Sequence, residues 1–179
     1  MATPDLLNDA TQALNHDRTL TQAGLASTLG IGRATLHRHY PTRDALIHAI
    51  AEEALTLTER ALHAAQPDEG PALEALDRVT LALLPLGHRY HFLLTEPTLD
   101  RDPDLQPRGA ALEASLHALL TRARDDGTLR ADVPAAWYLE TYGMLLWATW
   151  NAVHAGHLAR LDAPRVLRLT FIEGLGSRP

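Results

Sequence analysis

Residues 30–32 read Gly-Ile-Gly and stand between two short stretches whose apolar residues recur at helical spacing, with Pro41-Thr42 closing the second stretch. A tripeptide of this kind makes a tight corner: the first glycine can adopt the left-handed conformation that ends a helix, and Ile31 supplies an apolar plug between the two helices. Upstream, Thr19 with Gln22 three residues on matches a capping box, and Leu25 and Leu29 fall on the inner face of the helix it opens. Downstream, residues 33–40 form a short helix in which Leu36 and Tyr40 turn inward at a spacing of four while His37 and Arg38 turn outward. Pro41 cannot continue that helix. Thr42 then caps a long one that carries Leu46, Ile50 and Leu57 and ends near Ala65. At ~1.5 Å per residue this helix is about 35 Å long, enough to connect a small head to a larger body.

The rest of the chain is also helical, because apolar residues recur at spacings of three and four and nothing alternates like a strand. Thr3-Pro4-Asp5 starts a first helix with Leu7, Ala10 and Leu14 on one face, running to about Asn15. Residues 66–71 form a linker. Further helices are predicted at 72–86, 89–95, 108–126, 134–159 and 163–175, with a surface loop at 96–107. The expected class is all-α, with about nine helices in two domains, 1–46 and 47–179.

Composition removes several functions. The chain has 179 residues, 46% of them hydrophobic, enough for a buried core, and no cysteine, so disulfides, thiolate metal sites and a cysteine nucleophile are excluded together. No apolar stretch approaches the roughly 20 residues of a membrane span, and no charged-then-apolar leader opens the chain, so a soluble, cytoplasmic protein is expected. Net charge is −6 but uneven: between His16 and His48 four arginines face two aspartates, giving +2 and leaving −8 for the remainder. A basic segment on an acidic body suits a DNA reader whose body is repelled by the duplex.

Two helices joined by a short glycine turn form a helix-turn-helix, whose second helix lies in the major groove with its first residues at base edges. Arg33 can donate a fork to guanine, Ala34 permits close approach, and Thr35 can bond a phosphate or touch a thymine methyl. The run Gly30-Ile31-Gly32-Arg33-Ala34-Thr35-Leu36-His37-Arg38-His39-Tyr40-Pro41-Thr42-Arg43-Asp44-Ala45-Leu46 closely resembles the recognition segment of TetR-type transcriptional regulators. The resemblance is strong over 21–46, moderate over the first helix and architectural beyond. It implies that Arg33, Ala34 and His37 face bases, with Arg38 outward beside them. Thr21, Thr35, His39 and Arg43 hold phosphates, and Thr42 assists through the start of the long helix. Departures from the pattern are His37 in place of tyrosine, Gly32 in place of a Ser or Thr cap, and a start almost at the first helix, leaving no basic arm for the minor groove. Residues 30–43 read alone also fit a plain helix-helix corner.

The helix expected at 134–159 is apolar almost all round. Leu139, Gly143, Leu146, Trp150 and Val153 line one side, and Tyr138, Tyr142, Leu145 and Ala152 another; a surface helix has one stripe. Read from pattern alone this is either a central helix of a monomeric bundle or a helix with an outside partner. The resemblance supplies the partner: the last two helices of two subunits form a four-helix interface, here through Leu139, Leu146, Trp150, Val153, Val166, Leu169 and Ile172, with Leu175 at its end. It also implies a ligand pocket among the body helices, with His88, Tyr90, His91, Phe92, Trp137, Tyr142 and Trp147 as candidates, favouring a small apolar or aromatic effector. His88 with His91, and His154 with His157, are pairs at i,i+3, and two ligands do not make a metal site. No metal, cofactor or enzymatic activity is expected: there is no nucleophile elbow, phosphate loop or HExxH. The expectation is a ligand-responsive DNA-binding regulator, a repressor that binds a palindromic operator as a homodimer. The alternative is a helical small-molecule-binding module without sequence-specific DNA binding.

Overall fold

The computed structural model describes residues 6–97 and 99–175. Every regular element among them is helical: α1 (Leu6–His16), α2 (Gln22–Thr28), α3 (Arg33–His39), α4 (Arg43–Ala65), α5 (Ala72–Leu83), α6 (Gly87–Thr95), α7 (Gln106–Asp125), α8 (Ala135–His154) and α9 (Ala163–Leu175). Single 3₁₀ turns occupy Leu84–Leu86 and Leu99–Arg101. The all-α class is as expected. The proposed start at Thr3-Pro4-Asp5, and the side chain of Leu175, lie outside the described residues.

Several ends differ from the periodicity. Thr19 does not cap α2: its N–H and hydroxyl both bond the Asp17 carboxylate, at 2.9 and 2.6 Å. The cap is Thr21, whose Oγ1 accepts from the Gly24 N–H at 3.2 Å. Pro85 leaves no N–H for an α-helical bond, so the stretch expected to run to 86 finishes as a 3₁₀ turn. α8 stops at His154 rather than 159 because Gly156, at φ +76°, turns the chain left-handed there.

The head is α1 to α3 packed on the first turns of α4, around Ala10, Leu14, Leu25, Ala26, Leu36 and Leu46. Gly30, at φ +65°, makes the corner between α2 and α3, and Ile31 packs against the core edge as the plug. Thr42 caps α4 by accepting from the Ala45 N–H at 3.0 Å, and Asp44 opposes the helix dipole in the first turn. α4 then runs from head to body without a break. At its far end Arg78 donates to the carbonyls of Ala65, Gln66 and Glu69 at 2.6–2.9 Å, satisfying groups that a helix end leaves orphaned.

In the body, α8 is sandwiched by α6, α7 and α9, and α5 closes the far side. The approach of α6 to α8 is the tightest: a Cβ on Gly87 would sit 2.7 Å from Trp150 Cβ and 2.8 Å from the Leu146 carbonyl oxygen. The apolar core is continuous from Ala10 in α1 to Phe171 in α9, so head and body share one packed interior.

Candidate functional site

The exposed side of α3 carries Arg33, Ala34, His37, Arg38 and His39, while Thr35 is half-buried and Leu36 is buried. One side of this helix is anchored and the opposite side presents two guanidiniums and two imidazoles on a small-residue base. Gln22 donates from its side chain to the Tyr40 carbonyl, tying the end of α3 to the start of α2. Thr21 and Thr42 are exposed. Each uses its oxygen as a helix cap, which leaves the hydroxyl hydrogen free to donate to a phosphate.

Arg43 differs from the phosphate contact expected of it. Its Nε and Nη2 donate to the carbonyls of Leu20 and Arg18, at 3.2 and 2.7 Å, so its guanidinium braces the α1–α2 connection against α4. Arg18, which no motif singled out, continues the brace. Its guanidinium donates to the Thr95 carbonyl and hydroxyl and lies 3.8 Å from the Glu96 carboxylate, at the end of α6. A second set of polar contacts joins α1 to the start of α6. Asn15 donates to the His88 carbonyl at 2.6 Å, and Asn8 Oδ1 lies 2.8 Å from both His88 Nε2 and Arg89 Nη1. Arg89 in turn pairs with Glu53 of α4 at 2.9 Å. Sequence spacing carries no signal for these contacts, since the partners lie tens of residues apart.

A cavity of about 280 Å³ lies where α4, α6, α7 and α8 converge. Its walls are Leu55, Leu93, Leu94, Leu99, Leu105, Leu112 and Leu139, with the Tyr90 ring, and its polar groups include Gln106, Glu113 and Glu140. Gly109 and Ala110 leave the space on the α7 side. Leu99 and Leu105, from the segment joining α6 to α7, also line a hollow against the first turns of α4, beside Ile47 and His48. A larger open groove of about 650 Å³ runs between α4 and α7, and the cations on it are taken up by Glu59 on Arg108 at 2.7 Å and by Asp68 and Gly70 carbonyls on Arg122.

Of the seven side chains expected to hold a ligand, only Tyr90 lines this cavity. Phe92 is in the core. Tyr142 is fully buried, its hydroxyl 2.8 Å from Thr80 Oγ1 and its ring edge-on to Phe171. Trp137 is 57% exposed on α8. His88, His91 and Trp147 belong to a column of rings that seals α6 onto α8: His91 on Trp147 at 4.4 Å, Trp147 on Trp150 at 5.4 Å, and Trp150 between His88 and His154 at 4.5 and 4.9 Å. The missed wall is leucine and glutamate, types too common to stand out; the Gly109-Ala110-Ala111 run was the available signal that α7 leaves a gap.

The interface set also changes. Leu139 and Leu146 are buried in the chain's own core. Trp150 is held in the ring column, Val153, Val166 and Ile172 are half-buried, and Leu169 is 45% exposed. The exposed residues of α8 include Trp137, Met144 and Ala148, and Leu169 is exposed on α9. Among the described residues no three His, Asp or Glu side chains gather as a metal site, and no helix is long and apolar enough to cross a membrane.

The chain is similar to proteins of known role. It is 31% identical over 151 residues to the HTH-type transcriptional repressor LfrR of Mycolicibacterium smegmatis, covering 84% of this chain and 78% of that protein. It is 31% identical over 157 residues to the HTH-type transcriptional regulator NfxB of Pseudomonas aeruginosa, covering 84% and 81%. The crystal structure of the TetR-like regulator LfrR from Mycobacterium smegmatis in complex with proflavine superposes with a TM-score of 0.70 at 28% identity, over 97% of this chain and 95% of that one. The ketosteroid regulator KstR2 of Mycobacterium tuberculosis, at 16% identity and a TM-score of 0.70 over 97% and 94%, shares the fold. No family model matches the chain.

Proposed function

The chain belongs to the TetR-like transcriptional regulators, and from that premise we propose that it is a homodimeric repressor that reads a palindromic operator with two copies of α3 and leaves it when a small apolar or aromatic molecule fills the cavity beside Tyr90. The functional division falls at 1–46 for the DNA reader and 47–179 for effector binding and dimerisation. The observation that carries the reading is the outward face of α3: Arg33, Ala34, His37 and Arg38 stand exposed on a helix fixed by Leu36. That is the geometry base-edge contacts require. Thr21, Thr35, His39 and Thr42 supply phosphate contacts around it, and Arg43 supports them from behind.

The cavity is linked to that face by α4, by the α6–α7 segment and by the Arg18 and Arg89 braces. An effector can shift the head only by binding its two positions differently, a coupling of typically ~1–3 kcal/mol that weakens effector and operator reciprocally. Dimerisation through Trp137, Met144, Ala148 and Leu169 would set the distance between the two α3 helices to half-sites one or more helical turns apart.

The testing experiment is fluorescence anisotropy with the upstream region of the protein's own gene against scrambled duplex at several salt concentrations. Saturable preference for the upstream region supports the reading. Equal binding to both duplexes, or none, leaves a helical small-molecule-binding module.

A further inference from the structure

The cavity between α4 and α8 is electrostatically one-sided. Glu113 on α7 and Glu140 on α8 line it, and no arginine or histidine does among the described residues. Neither carboxylate makes an ion pair or hydrogen bond among those residues. Glu53, Glu59 and Asp77, by contrast, each pair with an arginine, Arg89, Arg108 and Arg168 in turn.

Tyr90 stands beside them, 4% exposed, its hydroxyl without a hydrogen-bond partner among the described residues. That hydroxyl is therefore available to a molecule in the cavity that the residue lines. Burial, with the negative charges of Glu113 and Glu140, holds its pKa well above the usual phenol range, so it remains a neutral donor. The remaining wall is mostly leucine.

We propose that the molecule this cavity takes is a compact apolar cation, its ring system against the leucine wall and Tyr90 and its positive charge toward Glu113 and Glu140. The proposal rests on the assignment of this cavity as the effector site and adds the chemical class. A neutral ring would gain apolar burial alone and leave the two carboxylates without a counter-charge. An anion would meet those charges directly, on a chain whose net charge is −6. A cation offsets both and gains the face of a phenol.

Equilibrium dialysis of the full chain at neutral pH, with three ring probes of similar size, tests this: proflavine (cationic), acridine (neutral) and anthracene carboxylate (anionic). Proflavine is expected to bind at least about tenfold more tightly than acridine, with the carboxylate weakest. The double variant Glu113→Gln, Glu140→Gln should bring proflavine down to acridine's affinity and leave acridine unchanged. Ala110→Trp, at an exposed position on the cavity wall, should block both. All three positions are exposed, so the variants keep the fold, which circular dichroism verifies. If proflavine and acridine bind alike, the double variant changes neither and Ala110→Trp blocks both, the cation proposal is overturned and the effector site stands. If binding survives Ala110→Trp, or no probe binds the unmodified chain, the cavity assignment falls with it.

Discussion

His48 Nε2 and the Asp102 carboxylate meet at 3.3 Å, joining the first turns of the head-to-body helix to the segment that covers the cavity. Leu99 and Leu105 on that segment wall the cavity on one side and the hollow against α4 on the other. A molecule that pushes these leucines outward therefore pulls on α4 within about two turns of Thr42. The pair is exposed enough that its loss should cost under about 1 kcal/mol of stability. Asp102→Asn is expected to leave the melting temperature nearly unchanged while cutting several-fold the factor by which a molecule bound in the cavity weakens operator binding. An unchanged factor in paired titrations would show that the segment is not part of the path.

Arg33 and Arg43 separate base reading from support. Arg33→Ala should cost ~1–3 kcal/mol on the operator and flatten discrimination at one half-site position. Arg43→Ala removes two donors to the carbonyls of Leu20 and Arg18, so it should weaken all duplexes alike and lower the melting temperature. Anisotropy with single-base operator variants, beside thermal melts, distinguishes the two. A melting temperature unchanged in Arg43→Ala would return that residue to direct phosphate contact.

The head was legible in sequence because its determinants are local: a threonine cap, a glycine corner, an apolar plug and a proline stop within a few residues of one another. Thr19 and Thr21 show the resolution of such signals, since two threonines compete for one cap and only the Asp17 hydrogen bonds decide between them. The body was less legible. α8 is apolar on several sides, and which stripe faces inward depends on Gly87 letting α6 press against Trp150 and Leu146. That contact placed Leu146 inside and pulled His88, His91 and Trp147 into the ring column rather than a ligand site. The resemblance gives Arg43 a place in the motif but not the carbonyls within reach of its long side chain.

Gly87 makes a stability prediction with an internal control. A methyl group there would overlap the Leu146 carbonyl and Trp150 Cβ, both close to backbone and slow to yield, so Gly87→Ala should destabilise by ~1–3 kcal/mol. At Gly109, also helical, nothing lies within 4 Å of the added carbon. Gly109→Ala should instead stabilise by about 0.5–1 kcal/mol through reduced backbone entropy in the unfolded chain. Urea denaturation of both reads the difference, and similar values would mean that α6 can slide away from α8 at little cost.

Met144 is 40% and Leu169 45% exposed on the outward faces of α8 and α9. A carboxylate at either position meets water in a monomer and the partner's matching apolar surface in a two-fold interface. Met144→Glu with Leu169→Glu is thus expected to give folded monomers with lost operator affinity, seen by light scattering and circular dichroism. A double variant that stays dimeric would place the interface elsewhere.

His91 predicts the pH dependence of stability. Burial, then the positive charge of Arg18, lowers its pKa from the ordinary histidine value. Its Nδ1 is buried without a hydrogen-bond partner, and the ring lies on Trp147 at 10° to its plane. An imidazolium there would bury an unpaired N–H beside a guanidinium. The unfolded chain, with a histidine pKa near ~6.5, binds the proton more readily than the folded one. Stability contributed by neutral His91 is therefore present above about 6.5 and is lost as pH falls below it toward the lowered folded pKa. His91→Phe keeps the ring stack and removes the titration, so the slope of urea-unfolding free energy against pH should be shallower in the variant below about pH 6.5. Parallel curves for the two proteins would assign the acid sensitivity to other groups.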